Sequence, residues 1–141
     1  MKIFIDTSAF IAYFIKQEIF HRAIVGRYNF YRQQNASFLT SNFVLNELLT
    51  WFAYHQNKSV LRKLIDSWLK IELTGEIKVL EVDKVTAKTA CQVMLKFSDH
   101  KISFTDAATY ILCKDLSVDE VLTLDDDFKK IGLNVVFLEK E

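Results

Sequence analysis

Five short runs rich in Ile, Val, Phe and Leu punctuate the chain: KIFI (2–5), SFLT (37–40), IKVLEV (77–82), EVLTL (120–124) and VVFLE (135–139). None alternates cleanly between apolar and polar positions, the pattern of strands covered on both faces. Helical stretches lie between them, over roughly 8–15, 18–34, 42–56, 58–74, 84–97, 104–115 and 126–131. Gly75 and Gly132 stand where helix ends favour glycine. Strands alternating with helices predict an α/β fold, a three-layer sandwich with a central parallel sheet of about five strands flanked by helices. Right-handed crossovers follow. Ligands of such sheets gather at the carboxyl ends of the strands, so residues just after each run become the ones to inspect.

The totals narrow the picture. With 141 residues, no proline and three glycines, the chain predicts dense secondary structure with short connections, in one domain over 1–141. Hydrophobic residues at 50% and charged residues at 26% exclude a disordered chain. The apolar run Ala9–Ile15 is too short to span a bilayer, and Asp6 interrupts the opening before any signal-peptide pattern forms. The expected location is cytoplasmic. Eighteen Lys+Arg balance eighteen Asp+Glu, so no general basic character marks a nucleic-acid binder, though a local patch or a bound cation would offset phosphate charge. Cys91 and Cys113 sit in apolar helical patterns and are expected to be buried, reduced thiols. His21, His55 and His100 are scattered, with no zinc spacing.

Four acids stand in or at the end of strongly apolar runs. Asp6 follows KIFI and Asp125 follows VLTL, both at carboxyl ends of strands. Either could cap the next helix. Three successive acids, Asp125 to Asp127, exceed what a cap requires. Asp106 completes an S-x-x-D capping-box variant with Ser103, which places it at the same edge of the sheet. Glu47 lies on a helix that is apolar nearly all round, so it is expected to be largely buried, with no lysine or arginine on its own helix. Four crowded carboxylates repel one another unless a cation joins them. All-oxygen ligation suits Mg²⁺ or Mn²⁺, the ions of phosphodiester chemistry. No P-loop, G-x-S-x-G or GxGxxG competes.

These segments resemble PIN-domain ribonucleases, and especially VapC-like toxins of toxin–antitoxin pairs. IFIDTSAFIA is similar to the family's first strand and first acid, DHKISFTDAATYIL to its third-acid segment, VLTLDDDFKKIG to its T-x-D-x-x-F segment, and SNFVLNELL more loosely to its glutamate helix. The resemblance implies a metal-dependent endoribonuclease in which Asp6, Glu47, Asp106 and Asp125 bind Mg²⁺ (or Mn²⁺) and carry catalysis. Asp99 and Asp127 are supporting candidates, and Thr7 and Thr123 candidates for orienting carboxylates. It further implies an RNA substrate of the tRNA or rRNA class, a small cognate antitoxin and a homodimer. Arg62, Lys63 and Lys70, on the helical hairpin around 42–74, are either phosphate contacts or a solvated face. Phe14, Phe20, Tyr28, Phe30 and Tyr31 are either an antitoxin groove or core. Two alternatives stay open: a PIN-like module that binds RNA or protein without cutting, and a non-toxin PIN nuclease of RNA processing. A dehalogenase-type phosphatase lacks its Asp-x-Asp here, since Thr7-Ser8 follows Asp6, and a receiver domain lacks its paired acids.

Overall fold

Ile3, Phe4 and Ile5 are almost wholly enclosed on β1 (Lys2–Ile5), which lies inside the sheet with a parallel neighbour on each side. In the computed structural model, which describes residues 1–136 and 138, the remaining order is α1 (Thr7–Phe14), α2 (His21–Gln33), β2 (Ser37–Ser41), α3 (Asn42–His55), α4 (Lys58–Thr74), β3 (Ile77–Leu80), α5 (Lys84–Lys96), a short 3₁₀ turn at Ser98–His100, α6 (Phe104–Asp115), β4 (Glu120–Leu122) and α7 (Asp127–Lys130). The strand order is β3-β2-β1-β4, all parallel. The chain moves outward from β1 through β2 to β3 and then crosses back to β4. Right-handed crossovers put α1–α4 over one face and α5–α6 over the other. The reversal falls between β1 and β4, and crevices of parallel sheets open at such a switch point.

The expected α/β sandwich is present, with four strands rather than about five among the described residues. Near the fifth expected run, Val135 makes a single parallel bridge to Val121; residues 137 and 139 of that run lie outside the described residues. Two strands are shorter than their apolar runs because side chains capture the next backbone donors. The Val82 N–H donates to Asn42 Oδ1 at 2.8 Å, and the Leu124 N–H to Ser8 Oγ at 2.9 Å.

Helix starts are chemically explicit. Ser41, Asn57, Asp83 and Ser103 each accept the backbone N–H three residues on. Gly75 ends α4 at φ 70°, the left-handed region that favours glycine. Helix α3 corrects the expectation of all-round burial: Val44, Leu48 and Phe52 form one buried stripe, while Tyr54 is 83% exposed. Of the two thiols, Cys113 is buried, which pushes its pKa up to about 12, whereas Cys91 is exposed, against expectation. No described helix is long and apolar enough to cross a membrane.

Candidate active site

Asp6 occupies the N-cap position of α1, yet its side chain makes no capping bond. Its backbone N–H continues the ladder to Leu122 O at 3.1 Å, which fixes the carboxyl end of β1 against that of β4. The carboxylate turns across this seam. Thr123 Oγ1 donates to Asp6 Oδ2 at 2.8 Å and accepts the Asp125 N–H at 3.0 Å. Ser8 Oγ accepts the Leu124 N–H and lies 3.1 Å from Thr123 Oγ1 and 3.4 Å from Asp6 Oδ2. The single Thr123 hydroxyl proton is committed to Asp6, so Ser8 directs its own proton to Thr123 or Asp6. Two hydroxyls thus tie the first and last acids into one unit.

The other two acids come from neighbouring helix starts. Glu47, one turn into α3, is half-buried rather than enclosed, and its Oε1 accepts the Thr7 hydroxyl at 2.7 Å. A hydroxyl thus meets the carboxylate, and no ion pair among the described residues reaches it. Asp106 forms the capping box with Ser103: Asp106 N–H to Ser103 Oγ at 3.0 Å and Ser103 N–H to Asp106 Oδ2 at 3.1 Å. Capping and membership of the acidic group coincide, because the same helix end faces the seam.

The electrostatics bind the four together. Burial pushes the Asp6 carboxyl up to about 7; the bonds from Thr123 and Thr7 hold it down, and the charges of Asp106 and Glu47 raise it further. Burial likewise raises Asp106 to about 6, against its Ser103 bonds, with Asp125 and Glu47 adding to the rise. No ion pair among the described residues reaches any of the four. The donor set fits a hard divalent cation: oxygen only, mutually repelling, one member buried without a compensating charge. Even so, no three acidic, histidine or cysteine side chains among the described residues form a ready cage.

The remaining candidates divide. Thr7 and Thr123 both reach carboxylates. Asp127 gives its N–H to Asp125 Oδ1 at 2.9 Å, while its own carboxylate turns to Lys130 Nζ at 3.4 Å. Asp99 is not brought to the group: its side chain is 81% exposed on the 3₁₀ turn, 4.0 Å from His100. Ser8, to which the sequence analysis gave no part in the site, is the residue missed; its position two after Asp6 was the available signal.

A family model described as PIN domain matches residues 3–133. No curated protein matches the sequence. Among solved structures, the chain is similar to VapC20 of Mycobacterium tuberculosis, described as a sarcin–ricin loop cleaving toxin, at 20% identity over 93% of this chain and 95% of that one, with a TM-score of 0.79. It is also similar to VapBC2 of Rickettsia felis bound to a promoter DNA fragment, at 13% identity over 99% and 100%, with a TM-score of 0.74. A third is a toxin–antitoxin complex from Klebsiella pneumoniae, at 16% identity over 99% of both chains, with a TM-score of 0.58. At these identities the likeness establishes the fold.

Proposed function

Because this chain belongs to the PIN domain family, we propose that it is a metal-dependent endoribonuclease and the toxin of a toxin–antitoxin pair. The observation that carries this reading is the placement of Asp6: buried at the carboxyl end of β1, facing Glu47 and Asp106, with no ion pair to it among the described residues. Asp6, Glu47, Asp106 and Asp125 would hold Mg²⁺ or Mn²⁺, which when bound supplies an activated water and charge stabilisation at a phosphodiester. The chain's own part is to aim the carboxylates. Thr123 and Ser8 fix Asp6, Thr7 fixes Glu47, and Ser103 fixes Asp106. Burial favours the protonated form of Asp6 when no cation is bound, and binding a cation favours release of that proton.

A partner surface supports the toxin half of the reading. A groove of about 450 Å³ runs between α1, α2 and α4, walled by Phe10, Tyr13, Phe14 and Tyr28, with Arg32 and Lys70 beside it. It suits an amphipathic segment of an antitoxin. Of the aromatics considered for this role, Phe14 and Tyr28 line it, Tyr28 itself largely buried, whereas Tyr31 does not line it and its hydroxyl donates to Glu120. A second reading, a module that binds RNA without cutting, draws on the lack of a ready three-ligand group among the described residues.

The test is induced expression of wild type beside Asp6→Asn, with growth followed and total RNA resolved on a gel. Growth arrest and discrete RNA fragments in the wild type alone are expected. Equal toxicity of both chains would overturn the assignment, and RNA binding by both with no fragments from either would favour the second reading.

A further inference from the structure

We propose that Phe104, braced by Phe43, is a stacking platform for an unpaired base of the RNA beside the acidic site; the inference rests on the nuclease reading above. Phe104 is the first residue of α6, two before Asp106, and Phe43 is one turn before Glu47 on α3. Their rings meet edge-on, with centroids 5.4 Å apart and planes at 66°. An edge-on pair covers at most one face of one ring, and Phe104 remains 38% exposed. Of the exposed aromatic side chains among the described residues, Tyr13, Phe30, Tyr54 and Phe104, only the last lies within two residues of one of the four acids.

Capping does not require this ring, and packing on Phe43 leaves part of it in water. The capping box is complete through Ser103 and Asp106 alone, and the first helical position accepts almost any side chain. A phenyl group left partly in water forfeits transfer free energy there. The acidic site also poses a binding problem. Its four carboxylates repel phosphate, and the chain's net charge is zero. Without a bound cation, coulombic attraction therefore supplies little affinity, and a neutral contact adds affinity that does not depend on charge. Stacking on an aromatic face does so without regard to base identity and needs a base free of its duplex.

The test compares two 12-nucleotide probes, oligoadenylate RNA and a chain of tetrahydrofuran abasic units with the same phosphates. Both are titrated in Mg²⁺ against full-length protein in an Asp125→Asn background, which stops turnover. The parent is expected to prefer oligoadenylate. Phe104→Ala is expected to weaken oligoadenylate roughly 5- to 150-fold, the range of one lost base stack, while the abasic chain changes less than about twofold. Phe104→Tyr, which keeps a flat ring, is expected to bind like the parent. Equal weakening toward both probes would make the ring a packing element only, and no weakening, or no preference in the parent, would equally overturn the proposal. Cleavage is scored separately, as Mg²⁺-dependent fragments of total RNA made by the chain with Asp125 intact. No fragments alongside an intact stacking preference would sink the nuclease reading and leave the platform standing.

Discussion

Asp6 is the residue whose surroundings most oppose its charge. Its carboxyl lies 5% exposed, and its pKa stands at about 7 against an ordinary 3.8, chiefly through burial. Between those values the native state holds a proton that the unfolded chain has lost, so stability falls as pH rises through that window. Above it, the native state carries the full penalty of about 4 kcal/mol. Asp6→Asn removes the ionisation. The variant is therefore expected to match wild type near pH 4 and to exceed it at pH 8 by up to about 4 kcal/mol in urea unfolding without metal. Mg²⁺ should stabilise the wild type at pH 8 and leave the variant nearly unmoved. Parallel pH profiles would show that Asp6 carries no buried charge. This environment was only partly legible in the sequence. The apolar run before Asp6 marked the strand end, but the choice between cap and site depended on Thr123, which is 117 residues away and beyond any local pattern.

Elements were legible where their chemistry is local. The S-x-x-D pattern at Ser103 reads directly as the cap of α6, and Gly75 as the end of α4, because both depend on neighbours within four residues. Strand ends were misjudged where distant side chains, Asn42 and Ser8, take up backbone donors. The burial of Glu47 was misjudged because an apolar sequence says nothing about which stripe finds a partner. Two caps separate stability from function at this scale. Asn57 caps α4 far from the acids and Ser103 caps α6 among them. Asn57→Ala and Ser103→Ala are each expected to cost about 1 kcal/mol, a fall in Tm of about 2–4 °C. Only Ser103→Ala should also weaken Mg²⁺ binding by calorimetry at pH 7, because the lost hydroxyl bond lets the Asp106 carboxyl rise further. Equal effects of both variants on metal affinity would mean that the cap does not brace the acid.

On the scale of the whole molecule, topology and charge pull the substrate problem in one direction. The β3-β2-β1-β4 order brings the ends of β1 and β4 together at the switch point, and the acids collect there whatever their separation in sequence. On a chain with as many acids as bases, net charge draws no RNA to a site so acidic. A protein that neutralises six to ten phosphates loses roughly 10³- to 10⁵-fold in affinity between 50 and 200 mM salt. Here two or three phosphate contacts at most are expected, so oligoadenylate binding at fixed Mg²⁺ should weaken only about tenfold over that range. Withdrawing Mg²⁺ at constant ionic strength should weaken it far more. The opposite result, steep in salt and indifferent to Mg²⁺, would move the RNA off the acidic edge and onto a basic surface such as Arg62, Lys63 and Lys70, which line the exposed side of α4. Charge substitutions on α4 would then abolish binding, whereas the acidic-edge reading expects them to change it little.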